Sequence, residues 1–452
     1  MNSPVKRLLP IASYILFPVL VGCGGSGGSG GSYTSSVNDA VDTNGDVSGV
    51  TDEIDDSSPD GVISINSPWI INTSERSRQI FESESSNTGV LEDVQLVEEL
   101  TVDSVSYVYV EATGIPNYDI PMTQTIVDEL NNRPKASSDF GAGVTSANAG
   151  DIVEFGQDIG YNSSTENCGS TGGAGYWPPG PGCPIHVGKA EYFTLSPLPT
   201  TSACATGLGT TGAMVNGTSI FNWGDGMSYG NNVWYTLAPV AEQYDVDICG
   251  GHAAQGEYHH HFYTSCLADL VGDDGTTHSP IYGYAADGYP LYGPWESADN
   301  LALSGWQTRD YGAALAEGGC NTPDERTCTL VNEYDVNQGV DTSVGQGPDI
   351  GQTVTTLSGN ILSADNGYYY EDYYYAQAAA TGEQLDQHNG HDNDDGRGYH
   401  YHITLVDDGS GKLTPAFPYT IGPSFYGALP DNAATSCGGV AAGGGAPPPP
   451  PG

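Results

Sequence analysis

The chain has 452 residues, of which 11 are lysine or arginine and 56 are aspartate or glutamate, so its formal net charge at pH 7 is −45. A surface this acidic repels nucleic acids and anionic membrane surfaces, so neither is expected as a partner. The length is sufficient for two domains, or for one large domain with tails.

The first 23 residues have the features of a bacterial lipoprotein signal. Lys6 and Arg7 form a basic segment, and the apolar run from Leu8 to Val21 is short for a membrane span. The junction LVGC resembles a lipobox, in which Cys23 becomes the lipidated first residue of the mature chain. The alternative is an ordinary cleaved signal with an incidental cysteine. The first interpretation predicts an exported lipoprotein anchored to a bacterial membrane, in the periplasm or on the cell surface.

Two further segments are predicted to be disordered. Residues 24–61 form a Gly/Ser tether followed by an acidic spacer with little apolar content. Residues 438–452, which end in a run of prolines, cannot pack a core. These segments are interpreted as an N-terminal linker and a C-terminal tail.

Residues 62–184 are predicted to be a β-rich region. The stretch SVSYVYVEA, from 104 to 112, alternates in the manner of a strand, and the chain contains 63 Gly, 29 Pro and 29 Tyr. Helical periodicity is scarce, and short helices are expected in segments such as QTIVDEL, from 124 to 130, and the region from 298 to 316. The predicted fold is mainly β: a β-sandwich-like or multi-sheet domain with long loops and few short helices.

The cysteines indicate an oxidising compartment. Nine are present, and eight remain after Cys23 is set aside, which predicts four disulfides in an exported chain. No C-x-x-C spacing favours thiolate metal binding. The sequence does not fix the pairing, although Cys249 with Cys266, and Cys320 with Cys328, would close short loops.

Six of the ten histidines share one repeated pattern. CGGHAAQGEYHHH runs from 249 to 261 and HNGHDNDDGRGYHYH from 388 to 402. Each has Gly-His, a short spacer and then Tyr-His-x-His. The matched positions are His252 with His391, Tyr258 with Tyr399, His259 with His400 and His261 with His402. Because Tyr401 stands where the first copy has His260, His260 is the least expected ligand of the three consecutive histidines.

Strand geometry makes this pattern a candidate metal site. The two histidines of a His-x-His strand point to the same face with Cβ atoms roughly 7 Å apart, and the preceding Gly-His is placed to fold back as a third donor. The predicted metal ligands are His252, His259, His261, His391, His400 and His402. We expect the two His-x-His strands to pair, with one shared site or two separate ones left open. Hydrogen-bonded histidines in tyrosine-rich strands are the alternative.

The segment between the copies contains a predicted hairpin. Asp287-Gly288 separates IYGY from YPLYG, and this dipeptide is typical of a tight turn. Asp287 is interpreted as a turn residue, with a carboxylate near the site as the alternative. His278 precedes the hairpin and is a seventh candidate ligand. His186 and His388 have no matched counterpart.

Four ordered motifs carry a resemblance to a known family. CGGHAAQGEYHHH, HSPIYGYAADGYPLYGPW, LDQHNGHDNDDGRGYHYH and FPYTIGPSFYG together resemble the YHYH domain family, over residues 185–427. In the first copy His260 replaces the second tyrosine of the name pattern, and His388 stands before NGH where a cysteine is expected. The resemblance implies a secreted domain and supplies no reaction.

Several functions are compatible with these residues. Imidazoles without thiolates suit copper or zinc, and a saturated site would be structural or a metal carrier. An open site would suit a metal-dependent hydrolase, with Asp287, Asp386 or Glu257 as the base, or a copper oxidoreductase. A third alternative is a module that binds cell-surface glycans through stacking on some of the 29 tyrosines and 6 tryptophans. Metal binding is the favoured function.

Overall fold

Strands make up most of the regular secondary structure, and the helices are few and short, as predicted. The computed structural model describes residues 68–83, 86–162, 183–230, 232–376 and 384–438, and all of these lie in one compact unit that spans Asp55–Pro450. The predicted signal peptide with Cys23, the linker and all but the first residue of the C-terminal tail lie outside the described residues.

The regular elements are numbered in chain order. The first strands are β1 (Ser77–Ser83), β2 (Ser86–Leu91), β3 (Val94–Val102), β4 (Val105–Ala112), β5 (Asp119–Pro121), β6 (Ile152–Glu154) and β7 (Lys189–Thr194). Those that follow are β8 (Thr210–Met214), β9 (Ser219–Phe221), β10 (Gly224–Tyr229), β11 (Trp234–Leu237), β12 (Gly251–Ala254), β13 (Glu257–His260), β14 (Ile281–Ala285), β15 (Pro290–Tyr292), β16 (Trp295–Ser297), β17 (Asn300–Leu301) and β18 (Trp306–Thr308). The last are β19 (Thr329–Leu330), β20 (Val340–Asp341), β21 (Thr353–Thr355), β22 (Ile361–Ser363), β23 (Tyr373–Tyr375), β24 (Gly390–His391), β25 (His400–His402), β26 (Leu405–Asp407) and β27 (Leu413–Pro415). The helices are α1 (Gln124–Asn131), α2 (Ala136–Asp139), α3 (Ala238–Ala241) and α4 (Ser265–Val271), with 3-10 turns at Leu315–Glu317, Val336–Gln338 and Tyr370–Asp372.

One of the two predicted helices is confirmed. Helix α1 forms at QTIVDEL, where the Thr123 hydroxyl accepts a hydrogen bond from the Ile126 N–H at 3.2 Å and caps the first turn. The helix expected between 298 and 316 was wrong, because that segment contains strands β17 and β18. Strand β18 pairs with the tyrosine-rich strand β23, and this long-range pairing outweighs a weak local helix preference.

The central sheet has eight strands among the described residues, in the order β12-β13-β9-β8-β14-β15-β25-β24. A smaller sheet has the order β3-β4-β7, and the other strands form pairs. The predicted hairpin at Asp287-Gly288 is confirmed as β14–β15. A second hairpin, β8–β9, turns at Asn216-Gly217 and has the same register shift as the first.

The central sheet is a pseudo-two-fold repeat of a four-strand unit. Each unit is a hairpin whose second strand pairs in parallel with a His-x-His strand: β9 with β13, and β15 with β25. The outer strand then pairs antiparallel with the His-x-His strand: β12 with β13, and β24 with β25. The two units meet where β8 pairs with β14, and Ala213 opposes Tyr284 at the midpoint of that contact.

This arrangement corrects the predicted pairing of the two His-x-His strands. Strands β13 and β25 do not pair with each other, because β9, β8, β14 and β15 lie between them. Each His-x-His strand is instead held by its own hairpin. The two copies therefore lie towards opposite edges of one sheet.

The largest hydrophobic core connects this sheet with the strands before it. Val108 on β4 and Phe193 on β7 belong to the same buried cluster as Tyr284 and Tyr401. Trp69 contacts both layers, with its ring centroid 5.5 Å from that of Phe193 and 5.3 Å from that of Tyr284. The sheet carrying the histidines is therefore backed by a buried layer rich in aromatic side chains.

The cysteines of the described residues are oxidised, as predicted. Disulfides connect Cys204 with Cys437, Cys249 with Cys266, and Cys320 with Cys328. Cys183 is also disulfide-bonded. The two short loops expected from sequence spacing are thus confirmed. Within the described part of the chain, no helix has the length and apolar character needed to cross a membrane.

Candidate metal centres

The first centre lies at the β12–β13 edge of the central sheet. His252 on β12 is directly opposite His259 on β13, and His261 follows on the same face as His259. The three side chains each offer one donor atom, and these atoms lie within 4.8 Å of one another. Glu242, directly after α3, adds a carboxylate whose Oε2 is 3.4 Å from His252 Nε2 and 3.3 Å from His261 Nε2.

The second centre has the same plan at the β24–β25 edge. His391 on β24 is opposite His400 on β25, and His402 follows. Glu296 on β16 supplies the carboxylate, with its Oε2 3.1 Å from His391 Nε2 and 3.4 Å from His402 Nε2. His278 joins this cluster: its donor atom lies within 4.8 Å of those of Glu296, His400 and His402.

Backbone carbonyl groups orient the imidazoles at both centres. In the first, the Nδ1 atoms of His259 and His261 contact the carbonyl oxygens of Glu257 and Asn222 at 2.9 and 2.6 Å. The equivalent contacts in the second join His400 to Gly398 and His402 to Gly293, both at 2.7 Å. Such contacts place the proton on Nδ1 and leave the Nε2 lone pair facing the cluster.

Burial keeps most of these histidines neutral. Burial lowers the pKa of His259 and His402 well below the ordinary value, and lowers that of His400 to about 4. Burial also opposes a positive charge on His252, but the neighbouring Glu242 carboxylate outweighs it and raises the pKa of His252. Neutral imidazole is the form that binds metals, so protons do not compete strongly at neutral pH.

Most of the donor atoms that face the two clusters have no hydrogen bond. Within the described residues, none is formed by Glu242 Oε2, Glu296 Oε2 or the Nε2 atoms of His278, His391, His400 and His402. In the first centre His259 Nε2 and His261 Nε2 are 3.1 Å apart, a close approach of two groups that both need a partner. A buried polar atom without a partner is costly, and a cation between these donors would satisfy all of them. The residues present therefore fit a divalent transition metal at each centre.

The predicted ligands fall into two separate groups of three. His252, His259 and His261 meet at the first centre, and His400 and His402 meet at the second. The ring centroid of His391 lies 4.8 Å from that of His400 and 5.2 Å from that of His402. The fold-back of each Gly-His onto its His-x-His strand is as predicted.

The carboxylates were missed by the sequence analysis. Glu296 follows the Asp287-Gly288 hairpin and Glu242 follows a short helix, so neither lies within the repeated histidine pattern. The available signal was the dipeptide Asn216-Gly217, which marks a second hairpin of the same kind. Aligning the two hairpins matches Asp225 with Glu296. This match indicates an acidic residue at the same distance after each hairpin, and so makes Glu296 a candidate ligand.

The remaining histidines lie outside both clusters. His260 points to the opposite face of its strand, where its Nε2 is 3.1 Å from the Tyr118 hydroxyl, so it is not placed as a ligand. His388 Nδ1 contacts the carbonyl oxygen of Ser424 at 2.9 Å. His186 is exposed and belongs to neither group.

None of the three carboxylates considered as a base belongs to a centre. Asp287 accepts hydrogen bonds from the Tyr401 hydroxyl at 2.7 Å and from backbone N–H groups behind the sheet, which supports the turn interpretation. Asp386 accepts from the Tyr399 hydroxyl and from the backbone N–H of Gly390. Glu257 accepts a hydrogen bond from Ser219.

Residues 191–408 match the protein-family model described as YHYH protein. This part of the chain is therefore a YHYH domain, as its motifs predicted, and it contains every residue of both centres. No curated protein and no solved structure matches the chain.

Proposed function

We propose that this protein is an exported, membrane-anchored metal-binding protein whose YHYH domain holds two transition-metal ions, one at each centre. The observation that carries the proposal is the convergence of three imidazoles and one glutamate oxygen at two places in the sheet, where both glutamate oxygens and the Nε2 atoms of the second centre are buried without a hydrogen bond among the described residues.

The donor set favours copper or zinc. Imidazole nitrogen suits both ions, and a single carboxylate with no thiolate is compatible with either as a divalent cation. Calcium and magnesium prefer oxygen ligands alone, so they fit these centres poorly. When bound, such an ion would supply Lewis acidity or, for copper, one-electron chemistry. The residues of the chain hold the ligand atoms in place and exclude water from the side that faces the core.

The proposed location rests on two features of the sequence and the fold. The disulfides fit an oxidising compartment. The LVGC junction, with Cys23 as the lipid acceptor, supports attachment to a bacterial membrane through a Gly/Ser tether.

Elemental analysis of the protein, purified without a polyhistidine tag, tests the metal-binding function. We expect two equivalents of copper or zinc per chain, and loss of one in each of the double variants His259→Ala/His261→Ala and His400→Ala/His402→Ala. His260→Tyr is the matched control, because Tyr401 occupies the equivalent position, and it should keep both ions. An unchanged metal content in both double variants would remove the basis for the proposal.

A further inference from the structure

The two centres share three histidines at matched positions, but their glutamates come from different segments and the second centre has a further imidazole. The loop before β14 places His278 in the second centre, whereas the loop before β8 has Gly207 at the aligned position. The alignment of these loops is supported by a repeated hydrogen bond: Asn222 N–H donates to the Gly209 carbonyl at 3.2 Å, and Gly293 N–H donates to that of Pro280 at 3.2 Å.

His278 is oriented as a ligand. Its Nδ1 lies 2.8 Å from the carbonyl oxygen of Ser279, which leaves Nε2 as the donor atom. That Nε2 is buried and has no hydrogen bond within the described residues. Its ring centroid lies 5.2 Å from that of His402 and 5.6 Å from that of His400. The second centre therefore offers four imidazoles and one carboxylate.

The first centre has no imidazole to match it. All ten histidines of the chain lie among the described residues, and only His252, His259 and His261 meet there. The Phe221 ring, which has no donor atom, stacks on His259 with 3.7 Å between ring centroids. The Glu242 side chain is 19% exposed, against 10% for Glu296 in the second centre. It therefore offers three imidazoles and Glu242, one imidazole fewer than its counterpart. Asp225 also lies near this centre, where burial and the charge of Glu242 raise the pKa of its carboxyl to about 7.

We infer that the first centre keeps a coordination position for a small exogenous ligand, such as water or a small anion, and that His278 closes the second centre to the same class of ligand. This inference rests on the proposed metal-binding function. A metal with an open position exchanges ligands and polarises them, whereas a metal saturated by protein donors is structural. The sheet repeat thus carries one reactive centre and one closed centre.

The experiment uses cobalt(II) as the metal and azide as the exogenous ligand. His400→Ala/His402→Ala leaves only the first centre for loading, and His259→Ala/His261→Ala leaves only the second. Azide is titrated into each cobalt-loaded variant and followed by visible absorption. We expect the second centre to bind azide at least about tenfold more weakly than the first. Adding His278→Ala to the variant that retains the second centre should raise its azide affinity, and His186→Ala in the same background is the control.

The possible results distinguish failure of the open-position inference from failure of the proposed metal-binding function. Cobalt spectra at both centres with equal azide affinities would overturn the inference alone, and so would an His278→Ala variant that binds azide no better than its parent. The absence of a cobalt spectrum from both double variants would overturn the metal-binding function and the inference together.

Discussion

Ala213 and Tyr284 oppose each other where β8 pairs with β14, and the strands on either side of this pair repeat the same order and directions. The pair therefore marks the pseudo-two-fold axis of the central sheet. Each half carries its own hairpin, its own His-x-His strand and its own glutamate. Because the two centres lie towards opposite edges, they are expected to act as independent sites.

Independent centres predict additive stabilisation by metal. At a free zinc concentration about 100 times the dissociation constant, each occupied centre should raise the free energy of unfolding by about 2.7 kcal/mol. The wild type should gain twice as much as either His→Ala double variant. Thermal unfolding of the metal-free protein with added zinc measures this. Complete loss of the zinc effect in one double variant alone would indicate coupling between the centres.

Asn393 is expected to position Glu296, the carboxylate ligand of the second centre. Its side-chain amide donates a hydrogen bond to Glu296 Oε1, while Glu296 Oε2 faces the imidazoles. Removing an outer hydrogen bond of this kind costs about 10- to 100-fold in metal affinity. We expect Asn393→Ala to show that loss at the second centre only, in competition titrations with a chelator. Asp394→Asn, an exposed neighbour in the same loop, is the control, and an equal effect in both variants would argue against a positioning role.

Asp287 should make the stability of the metal-free protein depend on pH. Burial raises the pKa of Asp287 to about 6, above the value of about 3.9 for an unfolded chain. A carboxyl group with a raised pKa contributes stability that is fully present below about pH 4 and is lost as the pH rises through about 6, here about 2 to 3 kcal/mol. The free energy of unfolding of the wild type, relative to Asp287→Asn, should fall by that amount between pH 4 and pH 7. Denaturant titrations across this range give the comparison, and a constant difference would contradict it.

The Cys249–Cys266 disulfide should support the first centre in particular. Cys249 precedes His252 by about three positions in the sequence. The bridge closes a loop of 17 residues, which should add about 3 kcal/mol to the free energy of unfolding. We expect Cys249→Ser/Cys266→Ser to lower both the stability and the metal affinity of the first centre. The Cys320–Cys328 bridge closes a loop of 8 residues away from both centres and is worth about 2.5 kcal/mol. Cys320→Ser/Cys328→Ser should therefore lose stability with metal affinity unchanged, and a similar loss of affinity in both variants would indicate a general unfolding effect.

Cys23 is expected to carry the membrane anchor. In a bacterial host, the mature protein should partition into the detergent phase, because a lipid on Cys23 would insert into the micelle. The acidic surface repels anionic lipid and would not by itself bring the protein there. Cys23→Ser should release it to the aqueous phase or leave the signal uncleaved, as read by phase partitioning and by the mass of the mature chain. A wild-type chain that stays aqueous and begins at another residue would falsify the lipoprotein interpretation.

The local features of the site followed from the sequence. Successive side chains of a strand point to opposite faces, so the spacing of His259 and His261 placed them together. The match of His260 with Tyr401 in the second copy set His260 aside without knowledge of the fold. The Asp287-Gly288 turn followed from the backbone preferences of its residues, and eight cysteines in a chain predicted to be exported indicated disulfides. Each of these inferences concerns neighbours along the chain or the chemistry of the compartment.

The tertiary structure decided how many centres there are and what completes them. Strand pairing is a long-range choice, and the sequence did not reveal that each His-x-His strand would join its own hairpin in parallel instead of joining the other copy. Glu242, Glu296 and His278 reach the centres from separate segments, with no fixed spacing to the histidines they join. A periodic pattern records which way neighbouring side chains point, whereas the meeting of distant segments depends on how the whole core packs.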